Sequence, residues 1–418
     1  MLLIKIALAA TAVVAAVTGV AGTAAAQSGQ PIKIGFSIAQ TGGLAPNGKP
    51  ALLAHKIWEE DVNAKGGILG RPVKLVYYDD QSNPSTVPGL YTKLLDVDKV
   101  DLVIGAYATQ MVAPAMPVVM QKNKVFVSLL ALAVNTEFRY PNYFAMIPSG
   151  PDTKASFTEG FFQSAMAQVP KPTTVALVAA DQEFSRNACD GARENAARAE
   201  LKVTYDSTYP PSTTDYAPIV RAIAATKPEL VVVCSYPPDS VGIVKAVNEI
   251  GFKPKQIGGA MVGLQATTLK AQLGPMLNGI VNFDMWLPVP KLQFEGVNDV
   301  IAKYQARAKA EGVDPLGYYM VPCSYAQLQV LQQAIEGTKS LDDKKLSAYL
   351  HANTFHTVWG DIKFNKDGEW VQPRMLQVQF HNVKGNDVEQ FRTMGTQTVL
   401  TPAEYKSGDM IYPYEKAK

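Results

Sequence analysis

The feature that most restricts the fold is a double alternation of short apolar runs with helix-like segments. It spans residues 32–127 and then, after a break, residues 174–258. Strands separated by helix-length crossovers pair in parallel, so each block reads as βαβ units on its own parallel sheet. In the first block residues 32–38, 73–78, 102–104 and 125–127 read as strands. Residues 51–64 read as a helix, with Leu52, Leu53, Ile57, Trp58 and Val62 near helical spacing and Lys65-Gly66-Gly67 as its stop. A second helix covers 84–95, and the turn-rich stretch 40–48 reads as a loop. In the second block residues 174–179, 202–205 and 230–234 read as strands, and another begins at 256–258. Residues 190–201, 219–226 and 240–250 read as helices.

The blocks meet at the Pro- and Gly-containing stretch 146–152, which suits a crossover. Past Val281 the order changes. Helices are expected at 298–311, 322–336 and 344–351. Residues 360–368 and 375–380 read as a hairpin, with Lys366-Asp367-Gly368 as its turn. No period is visible from Thr393 onward. A length of 418 residues accommodates two domains of ordinary size.

Residues 1–26 carry Lys5 as their only charge, an apolar or small stretch 6–20, and Ala24-Ala25-Ala26 before Gln27. That is the layout of a secretory signal peptide removed near Ala26, with an apolar core short for a membrane span. A formal charge of +2 gives no argument for nucleic acid as a partner. Cys189, Cys234 and Cys323 are odd in number and widely spaced, so no metal or CxxC motif exists. All three are expected to be buried as small apolar residues. His55, His351, His356 and His381 show no metal spacing, and Asp79-Asp80 reads as a strand-end turn. No GxSxG, P-loop, HExxH or GxGxxG motif occurs, so neither catalytic residues nor a cofactor are expected.

The stretch 101–110 is the best candidate for a site. A strand stops at Gly105, a tight turn follows through Ala106, Tyr107 and Ala108, and Thr109 stands where a helix N-cap belongs. Free main-chain N–H groups at the carboxyl end of a sheet suit an anion or carboxylate, with Tyr107 as a flat wall beside them.

Several motifs in order carry a resemblance to a known family. They are Ile34-Gly-Phe-Ser with Thr41-Gly42, Asn63-Ala-Lys-Gly-Gly-Ile-Leu-Gly70, Val76-Tyr-Tyr-Asp-Asp80 and Val103-Ile-Gly105. Further on come Thr214-Asp-Tyr216, Asn248-Glu-Ile-Gly251, Thr357-Val-Trp-Gly360 and Phe364-Asn-Lys-Asp-Gly368. The chain resembles the type I periplasmic solute-binding proteins of ABC importers, in the branched-chain amino-acid (leucine/isoleucine/valine) group. The resemblance implies an α/β fold of two parallel-sheet lobes joined by three crossovers, with ligand in the cleft between them. Residues 27–148 plus 287–357 would form the N-terminal lobe, and 149–286 plus 358–395 the C-terminal lobe. Residues 396–418 would be a tail. It also implies a monomeric periplasmic binder that closes on a small solute and delivers it to a permease and ATPase complex in the inner membrane.

By the same resemblance, the first-lobe anchor falls on Ala108 and Thr109 and the second first-lobe loop on Leu130-Ala131-Leu132. The second-lobe wall falls on Phe184 and Tyr236, and the last ligand loop on Gly259-Ala260-Met261. Trp286, ahead of a Pro-rich crossover, reads as hinge packing, and Arg139 and Arg186 as surface ion pairs. The disulfide partners common in the family are replaced by Ser82 and Ala108. Two other departures bear on the ligand. Leu132 stands where amino-acid binders place Ser or Thr, and no acidic residue lies near Ala260 to pair with an ammonium. A buried ammonium without a carboxylate is costly, so the expected ligand is a small organic acid lacking an amino group, and an aromatic one. Burying a ring of ~150–250 Å² at ~25 cal/mol per Å² supplies roughly 4–6 kcal/mol of the about 8 that micromolar binding needs. Within the transport family an amino acid, an amide or urea is the alternative. A ligand-sensing module for a signalling partner is the rival of another class, and an enzyme on an α/β scaffold is a third.

Overall fold

The structure, a computed structural model, describes residues 29–418; the expected signal peptide lies outside them. The first sheet begins with β1 (Ile32–Ile38), α1 (Ala45–Ala64), β2 (Val73–Asp79), α2 (Val87–Asp96) and β3 (Leu102–Ile104). The helical run α3 (Thr109–Val112), a 3₁₀ turn and α4 (Met116–Gln121) follows, then β4 (Phe126–Ser128), α5 (Asn135–Phe138) and β5 (Tyr143–Ala145). These strands form an all-parallel sheet in the order β2-β1-β3-β4-β5. The chain then enters a second sheet through α6 (Thr153–Met166), β6 (Thr174–Ala180), α7 (Glu183–Arg198), β7 (Lys202–Tyr209) and α8 (Ala217–Ala225). It continues with β8 (Leu230–Ser235), α9 (Pro237–Ile250), β9 (Gln256–Met261), α10 (Thr267–Leu273) and β10 (Val281–Asp284).

After β10 the chain returns to the first lobe as α11 (Val297–Glu311), α12 (Val321–Thr338) and α13 (Asp343–Ala352), with α11 and α12 packed on α1. The small hairpin β11 (Thr354–Thr357) and β12 (Gly360–Lys363) follows. The chain then crosses a third time to β13 (Leu376–Phe380) and β14 (Gln397–Thr401). The second sheet runs β14-β13-β10-β9-β8-β6-β7, antiparallel only at β10/β13 and β13/β14. Helices cover the faces of both sheets, so the central strands read as unbroken apolar runs; every residue of β8 and β9 is buried.

Five expectations from the sequence are corrected. The loop expected at 40–48 ends early, because α1 already starts at Ala45; Pro46 sits in its first turn, where a missing N–H costs nothing. Helix α6 was not foreseen, and α7 starts at Glu183 rather than at residue 190. Interior glycines masked all three segments. A Cβ at Gly48 would overlap the Ala39 carbonyl, one at Gly160 the Thr401 side chain, and one at Gly191 the Lys154 carbonyl. These glycines read as helix breakers but serve close packing.

The last two corrections concern the C-terminal region. The turn at 365–368 exists, with Gly368 N–H donating to the Asn365 carbonyl at 3.1 Å, but β12 pairs with β11 and not with β13. Between them, residues 364–370 run along the edge strand β5. There the Gly368 carbonyl accepts from Ala145 N–H at 2.8 Å, and Trp370 Nε1 donates to the Ala145 carbonyl at 3.1 Å. Gly368 adopts φ 76°, and a Cβ there would overlap the Tyr143 carbonyl. Finally, the stretch after Thr393, which has no visible period, contributes the edge strand β14.

Glu369 follows that turn and is 4% exposed, with neither carboxylate oxygen hydrogen-bonded among the described residues. Burial, with Asp367 as a smaller cause, lifts its carboxyl from 4.5 to about 8. The unfolded chain releases this proton near 4.5 and the folded chain near 8, so the associated stability is complete at low pH and is lost as pH rises across that window. Glu369→Gln should therefore be more stable than the parent at pH 8.5, by about 3–4 kcal/mol, with a much smaller gap near pH 5. Urea unfolding at both pH values measures this; an equal gap at both would refute it.

Candidate functional site

The site is assembled where the carboxyl ends of the two sheets face each other. On the first-lobe side, Gln327 of α12 holds the strand ends. Its amide Nε2 donates to the Gly105 carbonyl at 3.0 Å and to the Val127 carbonyl at 2.8 Å. Its Oε1 is left as an acceptor 3.0 Å from His55 Nε2. That fixes His55 as the Nε2–H tautomer, and burial lowers its imidazole to about 4, keeping it neutral.

Beyond Gly105 the turn ends on Ala108, which caps the helical run at φ 83° and ψ 143°. Thr109 is thus the first helical residue rather than the cap expected from the sequence. Its Oγ1 accepts from the Leu132 N–H at 2.9 Å, so the hydroxyl hydrogen is free to point at an acceptor in the cleft. Tyr107 receives a hydrogen bond on its hydroxyl from Asn47 Nδ2 at 2.8 Å and meets Tyr319 edge-on at 6.4 Å.

The facing wall comes from the second lobe. Phe184 lies in the first turn of α7, 5.3 Å from Phe157 of α6 and 5.4 Å from Tyr236. Tyr236 precedes α9, and its hydroxyl donates across the cleft to Gln110 Oε1. A second bond crosses nearby, from Asn187 Nδ2 on α7 to the Leu132 carbonyl at 3.1 Å. The lobes are therefore drawn together by direct contacts.

Between them lies a narrow cavity, lined on the first-lobe side by Tyr107, Ala108, Thr109, Leu130 and Tyr319. Phe157, Phe184, Tyr236 and Val262 line the second-lobe side, with Ile147 and Met285 from two crossovers. No carboxylate, ammonium, guanidinium or imidazole is among them. Burial raises the phenols of Tyr107, Tyr236 and Tyr319 well above their ordinary value, so all three stay neutral. Charged residues adjoin two of the lining residues along the chain, the buried Asp284 beside Met285 and Glu183 beside Phe184. Desolvation, and then Glu137 of the first lobe, lifts the Glu183 carboxyl to about 7.

Of the residues expected at the site, Tyr107, Ala108, Thr109, Phe184 and Tyr236 line this cavity. Ala131, Leu132, Ala260 and Met261 are buried behind it. Leu132 braces Thr109 and receives Asn187, while Met261 N–H is held by Asn282 Oδ1 at 2.8 Å, and Val262 forms the wall beyond. Phe157 and Tyr319 were not foreseen. The first lies on the masked helix α6, and the second precedes α12 with no local signal. Trp286 packs in the crossover, donating from Nε1 to the Leu292 carbonyl at 2.8 Å. Arg186 pairs with Asp181 at 2.6 Å at the surface. No group of three or more His, Cys, Asp or Glu with metal-binding geometry occurs among the described residues.

The backbone at Ala108 is strained, because a side chain at positive φ with extended ψ is disfavoured for anything but glycine. Ala108→Gly should relieve this and raise unfolding stability by about 1 kcal/mol in denaturant titration. A loss of stability would show that the turn is unstrained.

The comparisons agree with this architecture. A family model described as periplasmic binding protein matches residues 31–384. The Leu/Ile/Val-binding protein of Citrobacter freundii is 23% identical over 341 residues, covering 81% of this chain and 88% of that one. Among solved structures, a leucine-binding protein of Thermotoga maritima superimposes with TM-score 0.73 at 17% identity, covering 88% of this chain and 98% of that one. An ABC-transporter solute-binding protein of Rhodopseudomonas palustris BisB5, in complex with 3,4-dihydroxybenzoic acid, does so with TM-score 0.72 at 18% identity, covering 93% and 99%. With the family model matching most of its length and the two-lobed α/β fold in place, the chain belongs to the periplasmic binding protein family.

Proposed function

We propose that this protein is the extracytoplasmic solute-binding component of an ABC importer, and that it closes around a small aromatic carboxylate lacking an amino group and delivers it to a membrane permease. The observation that carries the ligand class is the lining itself: five aromatic rings (Tyr107, Phe157, Phe184, Tyr236, Tyr319) and no charged side chain. An α-amino acid would bring an ammonium with no carboxylate to meet it, at a cost of several kcal/mol. A carboxylate needs only donors. Thr109 has a free hydroxyl hydrogen, and the first N–H groups of its helical run have no intrahelical acceptor.

The name of the Citrobacter freundii relative favours a second reading, a branched-chain amino acid. That ligand would find apolar walls but would have to satisfy its ammonium with phenol oxygens and main-chain carbonyls. The dihydroxybenzoate bound to the Rhodopseudomonas palustris neighbour supports the first reading only by analogy of fold.

Thermal-shift and calorimetric titration of the mature protein with benzoate, 3,4-dihydroxybenzoate, phenylpropenoates, leucine and isoleucine tests the choice. An aromatic acid should raise Tm by several degrees while leucine leaves it unchanged. A shift with leucine and none with the aromatic acids sinks the proposal. Thr109→Val should weaken the acid about 10–100-fold, the worth of a hydrogen bond to a charged group. Thr109→Ser, which keeps the hydroxyl and the Leu132 bond, should stay within about threefold.

A further inference from the structure

The second lobe holds two cysteines with no part in the cavity lining. Cys189 lies in the middle of α7 and Cys234 near the end of β8, both fully buried, with their Sγ atoms 2.8 Å apart. That separation is inside the van der Waals contact of two non-bonded sulfurs. A disulfide would shorten it to about 2.05 Å. The third cysteine is elsewhere: Cys323, on α12 of the first lobe, directs its thiol at the Tyr319 and Met320 carbonyls, at 3.4 and 3.2 Å.

We infer that Cys189 and Cys234 form a disulfide in the exported protein. The expectation that all three cysteines serve merely as small apolar residues is thereby replaced for this pair. The inference rests on the extracytoplasmic placement proposed above, since disulfides persist in oxidising compartments.

The packing of α7 gives such a bond a purpose. After Phe184 its buried face offers only Ser185, Asn187, Ala188, Cys189, Gly191, Ala192, Asn195 and Ala196, which bring little apolar area to the sheet. Yet α7 carries Phe184 and Asn187 at the cleft, and β8 leads directly into Tyr236. A bond between the two elements fixes the aromatic wall against the strand beside it. It also closes a loop of 45 residues, long enough to restrict the unfolded chain substantially.

The chemistry is thiol–disulfide exchange with an exogenous disulfide, either an exported oxidoreductase or oxidised glutathione. One cysteine, as thiolate, attacks a sulfur of the oxidant, forming a mixed disulfide and expelling one oxidant thiolate. The second cysteine, as thiolate, attacks the protein sulfur of that intermediate, forming the Cys189–Cys234 bond and expelling the other. Two electrons pass to the oxidant, and the two protons lost by the cysteines are taken up by the two thiolates released. Because both sulfurs are buried in the folded lobe, the exchange takes place during folding.

The test is refolding of the reduced mature chain in an oxidising glutathione buffer, followed by acid quench, denaturation and alkylation. One modified thiol per chain is expected, Cys323. The protein should be lighter by two hydrogens before alkylation, and a non-reduced digest should contain a peptide joining Cys189 to Cys234. Three modified thiols would overturn the inference. Cys323→Ser should keep the bond. Cys189→Ser and Cys234→Ser should each leave two reactive thiols. Reduction should lower Tm of the parent by about 5–10 °C and leave the double variant unmoved. Thiol counting on protein recovered from the extracytoplasmic fraction separates the two readings. One thiol after refolding but three in the cell upholds the bond and refutes the oxidising location.

Discussion

The cleft depends on one side-chain amide. Gln327 gives both of its N–H bonds to main-chain carbonyls, at the end of β3 and in β4, from a helix that belongs to the last third of the chain. A strand that turns away from its neighbour leaves carbonyls without ladder partners, and a buried carbonyl without a donor costs about 1–3 kcal/mol. Gln327 removes that cost at Gly105 and adds a second donor at the Val127 carbonyl, which already accepts from Gly105 N–H at 2.8 Å, and the neutral imidazole of His55 holds its oxygen. With the strand ends fixed, the turn through Ala108 takes its strained conformation, and Thr109 comes to rest against the Leu132 N–H. The Thr109 hydroxyl is positioned through this chain of contacts.

The opposite wall follows a different logic. It is made of rings, and its order comes from ring–ring contact: Phe157 on Phe184, Phe184 on Tyr236, Phe283 on Phe157 at 4.6 Å and on Tyr319 at 6.2 Å. Tyr319 thereby links a second-lobe core ring to Tyr107 of the first lobe. Polar bonds cross between the lobes at several places, among them Tyr236 to Gln110, Asn187 to the Leu132 carbonyl, Thr267 to Asp314 and Arg392 to Gln305. The site is thus ordered by hydrogen bonds on the anchoring side and by rings on the other.

How much of this was legible in the sequence varied with how local the cause was. The strand at 102–104 and the helix at 240–250 are read easily, because apolar run, periodicity and Gly stop all lie within a dozen residues. Thr109 and Tyr107 were found because they lie just past a strand end, where ligands meet a parallel sheet, and Phe184 and Tyr236 were found through the family resemblance. Helix α6 and the first turns of α1 and α7 were hidden by Gly48, Gly160 and Gly191. Each replaces a side chain with the backbone or side chain of a segment distant in sequence or across a turn. Composition cannot distinguish a glycine that breaks a helix from one that lets a neighbour approach. The hairpin was assigned to the wrong strands for a related reason. The turn at 365–368 is locally encoded, but what its flanks pair with is settled by the exposed edge of β5.

By itself the sequence determined the two blocks of alternating strands and helices and the anchoring turn after Gly105, while the two lobes with their crossovers were implied by the family resemblance of its motifs. The blocks and the turn follow from periodicity and from residue types at strand ends, both carried by contiguous stretches. Only the tertiary structure decided that Ala108 bears the strain and Thr109 the free donor, and that Phe157, Val262 and Tyr319 complete the wall. It alone brought Cys189 to 2.8 Å from Cys234. Each of those facts is a proximity between residues far apart in the chain, fixed by how helices settle on sheets, and the order of residues alone does not specify it.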